Sequence, residues 1–176
     1  WRMPEGADRP RRLEALVADL VGEAESARFW ETYWDRFVTE EDVARIASEG
    51  FNSLRLPINA QYVTGSDDSA TLLGGRMRRI DRLLEWCTRH KLYVILDLHG
   101  APGGQTGTNI DDSRRDTPEL FTDPVNQDRT VEIWRSLAER YSDEWIVAGY
   151  DLLNEPLPEW FSRYNDQVLP LYRRNT

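Results

Sequence analysis

One carboxylate stands where an acid catalyst would be expected: Glu155, within Tyr150-Asp151-Leu152-Leu153-Asn154-Glu155-Pro156. The residues before it read as a buried strand. A carboxyl group at the end of such a strand is costly to ionise, which raises its pKa toward the range an acid catalyst needs. Pro156 fixes the chain just beyond and biases Glu155 itself toward an extended backbone. A loop carboxylate that caps the next helix is the competing reading, and position alone weighs the two equally. Arg55 sits among Leu54, Leu56 and Pro57. Its guanidinium keeps its proton and needs an anionic partner, for which Asp97 and Asp151 are the candidates. Arg55 is then either a site residue or half of a structural ion pair. His99 ends another apolar run, where it could hydrogen-bond a substrate hydroxyl or ligate a metal. The only other histidine is His90, at a helix end. No cluster has metal-ligand spacing, so no metal is expected.

Gly100-Ala101-Pro102-Gly103-Gly104-Gln105 has neither the Gly-Lys-Ser/Thr ending of a phosphate-binding loop nor Gly-x-Gly-x-x-Gly spacing. It reads as an irregular loop beside a pocket, with glycines that let backbone approach a ligand. Of the seven tryptophans, Trp86 and Trp134 fall on helical stripes and read as core. Trp160 could offer an apolar face to a sugar ring, but first-turn packing of the last helix is the favoured role. Trp1 is a loop candidate without a place.

These residues need strands to carry them, and the chain alternates helical and strand patterns. Residues 12–36 read as one helix, with Leu13, Leu16, Val17, Leu20 and Val21 on one face. Thr39-Glu40-Glu41-Asp42 resembles a capping box and opens a second helix, which Gly50 ends. A strand over 51–58 follows, then a helix over 76–91 with Ile80, Leu83, Leu84 and Cys87 on one side. Residues 92–99 form the clearest strand, apolar enough to be covered on both faces. A Gly-, Pro-, Asp- and Thr-rich loop runs from 100 to about 123. A helix over 124–141, a strand over 146–153 and a last helix over 159–174, interrupted or ended near Pro170, complete the pattern. The βαβαβα order predicts a parallel sheet with right-handed crossovers. Active sites on such sheets lie at the carboxyl ends of the strands, where Arg55, His99 and Asn154-Glu155 collect. Alternation along a strand puts Asp97 and His99 on one face, and likewise Asp151, Leu153 and Glu155.

Composition sets the class. The chain has 176 residues, 40% apolar and 30% charged, with a formal net charge of −9. That balance suits a soluble globular domain and argues against nucleic acid, whose phosphates need a basic surface. No apolar run is long enough for a membrane span. Trp1-Arg2-Met3-Pro4 lacks the apolar stretch of a signal peptide, and secreted and cytoplasmic sites both remain compatible. The single cysteine, Cys87, reads as a small buried apolar residue. The only lysine, Lys91, precedes a strand, the wrong end for Schiff-base chemistry.

Three motifs in order resemble glycoside hydrolase family 5, the cellulase-like family of (β/α)8 barrels. They are Gly50-Phe51-Asn52-Ser53-Leu54-Arg55-Leu56-Pro57, Val94-Ile95-Leu96-Asp97-Leu98-His99-Gly100-Ala101-Pro102-Gly103-Gly104-Gln105, and Tyr150 to Pro156. Asn-Glu-Pro after a strand is weak alone; three motifs, each on its expected strand, are specific. The stretch Phe29 to Ala44 also looks familial, and the resemblance covers most of the chain. It implies that Glu155 is the general acid/base at the end of barrel strand four, and that Asn154 hydrogen-bonds the sugar 2-hydroxyl. It makes Arg55 the strand-two arginine that orients the nucleophile, and His99 the strand-three histidine lining the glycone subsite. It also implies no metal or organic cofactor. A full barrel takes ~250 residues. The expected fold is therefore α/β, a partial (β/α)8 TIM barrel of approximately strands two to four with their helices, forming one domain over 1–176 truncated after the fourth strand and helix. The family nucleophile of strand seven, the His-x-Tyr element of strand six and the tryptophan of strand eight fall outside it. The expected function is a retaining β-glycosidase with Glu155 as acid/base and the nucleophile elsewhere. The alternative is a catalytically inactive carbohydrate-binding or scaffold fragment. Expected partners are an oligo- or polysaccharide or glycoside, and a missing barrel segment or second copy that covers the open sheet edges. The Gly104 to Ser113 loop is expected to shape sugar choice.

Overall fold

The structure, a computed structural model, describes residues 7–66 and 68–175. Trp1 lies outside them. Three helices open the chain: α1 (Pro10–Val21), α2 (Glu23–Phe37) and α3 (Glu40–Ser48). The single helix expected over 12–36 is thus two. They part at Gly22, whose φ of 85° breaks the helical backbone; the apolar spacing continues across it, which is why periodicity alone misses the break. At the start of α3 the expected capping box is present. The Thr39 hydroxyl accepts from the Asp42 N–H at 3.4 Å, and Asp42 Oδ2 accepts from the Thr39 N–H at 2.8 Å. Gly50, at φ 90°, turns the chain out of α3 into the first strand.

That strand is β1 (Ser53–Asn59), followed by the short α4 (Ala60–Thr64), α5 (Gly74–His90), β2 (Tyr93–Gly100), α6 (Pro124–Arg140), β3 (Val147–Asp151) and α7 (Asn165–Arg174). The three strands form one parallel sheet in the order β1-β2-β3. The strand expected over 146–153 is shorter and ends at Asp151. The last helix is broken by a 3-10 segment, Glu159–Tyr164, kinked at Phe161; Pro170 sits inside α7 without ending it.

The core lies on one face of the sheet. Val94, Leu96 and Leu98 of β2 are fully buried in one cluster with Ile80, Leu83, Leu84 and Cys87 of α5 and Ile133, Trp134 and Leu137 of α6. Alternate β2 residues point the other way, and there Tyr93 is exposed and Ile95 half-buried. Within this chain β2 is therefore covered on one face, not two: the helices between parallel strands all return to the same side. Trp134 fills the core and donates from Nε1 to the Leu152 carbonyl at 3.0 Å. Trp86 is half-buried at its edge, under the Arg82 guanidinium at 5.2 Å. Cys87 is buried, and desolvation pushes its thiol up to about 11. No described helix is long and apolar enough to cross a membrane.

Candidate active site

Strand register assembles the polar residues. Pro57, Asp97 and Asp151 lie in one row across β1, β2 and β3, and Arg55 points to the same side two residues earlier. Its guanidinium reaches forward into that row. Arg55 Nε and Nη2 donate to Asp151 Oδ2 at 3.0 and 2.8 Å, and Nη2 lies 3.0 Å from Asp97 Oδ1. Both candidate anions are thus its partners. Nη2 also donates to Asn154 Oδ1 at 2.9 Å, which ties the β1 arginine to the loop after β3.

Asp97 is fully buried and meets a second partner: its Oδ2 lies 2.8 Å from His99 Nδ1. Burial raises the Asp97 carboxyl above its ordinary value, with Asp151 pushing the same way, while the His99 hydrogen bond and Arg55 oppose the rise. The contact assigns the proton of neutral His99 to Nδ1 and leaves Nε2 as an acceptor. Asn154 Nδ2 stands 3.5 Å from that Nε2. With its oxygen toward Arg55 and its nitrogen toward His99, Asn154 has a fixed amide orientation and keeps a second N–H hydrogen for a further acceptor.

Glu155 follows directly, and here two expectations change. β3 ends four residues earlier, so alternation does not carry from Asp151 to Glu155, and the Glu155 side chain is exposed in this chain, not desolvated at a strand end. Its backbone is also not extended: φ is 39° at Glu155 and 58° at Leu157. Left-handed backbone at a non-glycine residue costs about 1–3 kcal/mol and persists only where neighbours hold it. They do: Asn154 N–H donates to Leu98 O at 3.1 Å, Gln105 Nε2 donates to Asn154 O at 3.1 Å, and Leu157 N–H donates to Gln105 O at 3.1 Å. Among the described residues the Glu155 carboxylate has no hydrogen-bond or ion-pair partner. Trp160 is 69% exposed in the 3-10 segment and so does not pack the start of the last helix.

The loop after β2 is an ordered wall. Asp111 accepts from the N–H groups of Thr106, Gly107 and Ser113 at 2.6, 3.0 and 3.0 Å. Gly103 and Gly104, at φ 77° and 79°, supply left-handed turns, and a Cβ at Gly104 would come within 2.6 Å of Ser113. A cavity of about 660 Å³ lies among α2, β1, α4 and α5, lined by Tyr33, Trp34, Phe37, Tyr62, Arg79 and Trp86 among others. Its lining includes none of Arg55, His99, Asn154 and Glu155, so the polar cluster is a separate, open surface at the strand ends. No group of three or more His, Cys, Asp or Glu side chains among the described residues is placed to hold a metal.

Strand position identified Arg55, His99 and Asn154, and the structure joins them in one network. Asp97 and Asp151 were legible only as partners for Arg55. Gln105 was not singled out, though a polar side chain inside a Gly-Gly-Gln-Thr-Gly turn is the signal that could have found it.

With the geometry in hand, comparison with known proteins places the chain. The family model described as cellulase (glycosyl hydrolase family 5) matches residues 19–175. The chain belongs to that family. It is 32% identical over 167 residues to a β-xylosidase of Phanerodontia chrysosporium, covering 93% of this chain and 35% of the relative. It is 37% identical over 141 residues to endoglucanase C of Acetivibrio thermocellus, covering 80% of this chain and 39% of the relative. A solved glycoside hydrolase superposes with a TM-score of 0.64 at 28% identity, covering 77% of this chain and 41% of that one. The chain thus spans between a third and about two-fifths of the length of these relatives. The sheet is an arc of a (β/α)8 barrel.

Proposed function

We propose that this chain carries the acid/base half of a retaining β-glycosidase site, with Glu155 as the proton donor and acceptor. The observation that carries the reading is the convergence of Arg55 from β1, His99 from β2 and Asn154 from the loop after β3 on the surface where Glu155 emerges. In a retaining glycosidase two carboxyl groups stand ~5–5.5 Å apart across the scissile bond. One attacks the anomeric carbon as the other protonates the departing oxygen. Water then displaces the first, giving its proton to the second. Glu155 suits the second role because it is solvent-open and has no ion-pair partner among the described residues, so a proton can be exchanged there without breaking one. Asn154 offers its spare N–H to a sugar hydroxyl, Arg55 presents a fixed cation to a carboxylate opposite, and His99 lines the sugar-binding side. Trp160, exposed five residues further on, offers a platform for a sugar ring. The nucleophile is assigned to a segment outside 1–176.

The test is hydrolysis of phenyl β-glucoside, whose poor leaving group needs a proton, by a complete barrel carrying this chain. Glu155→Gln is expected to lower kcat/KM by about 10²–10⁴-fold. Equal activity would remove Glu155 from its role. Residues 1–176 alone are expected to show no hydrolysis.

A further inference from the structure

Gln105 is a polar side chain with 0% exposure, set in the loop after β2. Its amide is fully used, and every partner is backbone. Nε2 donates to His99 O at 2.8 Å and to Asn154 O at 3.1 Å, and Oε1 accepts from Ala101 N–H at 3.0 Å. Its own carbonyl accepts from Leu157 N–H at 3.1 Å. The carbonyls joined by its NH2 group belong to site residues at the ends of different strands. The two groups it holds on the third strand's loop, Asn154 O and Leu157 N, flank Glu155-Pro156 on either side. Glu155 has no side-chain partner among the described residues and sits at φ 39°. Its carboxylate is therefore placed only through its backbone.

We propose that Gln105 is a positioning residue for Glu155: its buried amide and its carbonyl clamp both sides of the Glu155-Pro156 turn and fix it against the His99 strand end. Asn154 is also held to the β2 end by its N–H on Leu98 O at 3.1 Å, but among the described residues Gln105 alone hydrogen-bonds to both sides of the turn. Loss of the clamp lets the turn relax toward the extended backbone that Pro156 favours, which swings the carboxylate away from the position where it meets a leaving oxygen. A displacement of about 1 Å is enough to cost up to ~10²-fold in rate. The reading rests on the acid/base role proposed above.

The experiment compares phenyl β-glucoside with 2,4-dinitrophenyl β-glucoside, whose departing phenolate needs no proton, in the complete barrel. Pre-steady-state measurement follows the first bond-breaking step. Gln105→Met should lower the phenyl rate about 10–100-fold while leaving KM and the dinitrophenyl rate little changed. That is the Glu155→Gln pattern at smaller amplitude. A merely structural role would lower both substrates alike, and that result, or no loss at all, would overturn the proposal. If Glu155→Gln itself treats the two leaving groups equally, the acid/base reading fails, whatever Gln105 does. Where Gln105→Met does not fold, Gln105→Glu carries the test. Ionised, that side chain faces two carbonyls with no hydrogen to give; protonated, it regains one donor. The phenyl rate should then recover as pH falls, relative to the dinitrophenyl rate, by more than the same ratio changes in wild type. A ratio that follows the wild-type pH dependence would overturn the clamp.

Discussion

At the scale of single residues the site is a chain of fixed choices. Asp97 holds His99 by Nδ1 and Arg55 by Nη2, Arg55 holds Asn154 by its oxygen, and the Asn154 nitrogen is thereby turned toward His99. Each contact removes one ambiguity: a tautomer, a guanidinium rotation, an amide flip. The buried carboxylate of Asp97 is the node. Because burial is the main cause and raises its folded-state value, folding favours the neutral form more than the unfolded chain does. The stability this gives is fully present below the unfolded value and is lost as pH rises through the raised one. Asp97→Asn should therefore gain stability relative to wild type as pH increases across that window, read from urea midpoints. A gap that moves the opposite way would mean that the His99 and Arg55 contacts outweigh burial. Arg55, His99 and Asn154 were legible because strand ends on such a sheet collect function. The Glu155 backbone was not. The rule for a residue before proline is local, and a clamp from Gln105, far away in sequence, overrides it.

At the scale of elements the pattern of apolar residues gave strand and helix order, while caps and breaks set the boundaries. Thr39 and Asp42 mark the start of α3 in sequence and in structure alike. Thr39→Ala should cost about 1 kcal/mol of unfolding free energy, measured by denaturant melts, and a change near zero would mean that solvent replaces the cap. Gly22 was illegible as a break because the residues on either side keep the same apolar spacing. The shorter β3 was illegible for a related reason. Leu152 and Leu153 are apolar, but Trp134 Nε1 takes the Leu152 carbonyl and the Tyr172 hydroxyl takes the Leu153 carbonyl at 3.0 and 3.3 Å. Side chains there satisfy the backbone groups that a longer strand would have offered to a neighbour. The loop after β2 held more order than its Gly-, Pro- and Asp-rich composition disclosed, since one carboxylate, Asp111, collects three backbone N–H groups.

At the scale of the molecule the parallel order β1-β2-β3 followed from the alternation of helix and strand, and the structure has it. What sequence could not convey is how one-sided the sheet is. Its helix-facing side is buried, its other side carries Arg55 and His99 toward solvent over the buried Asp97, and the outer edges of β1 and β3 have no partner strand among the described residues. That one-sidedness explains why Glu155 is open here and not desolvated. On this account its environment as an acid is completed only by the rest of a barrel. The acid/base role of Glu155 is tested by Glu155→Ala in the complete barrel with 2,4-dinitrophenyl β-glucoside and added azide. The glycosyl-enzyme should form, stall for want of a base to deprotonate water, and be released by azide. The anion needs no deprotonation, so the C–N bond forms as the ester C–O bond breaks. Faster turnover with azide and a β-glycosyl azide product are expected. Turnover equal to wild type, unchanged by azide and giving only free sugar, would contradict the assignment of Glu155 as the acid/base.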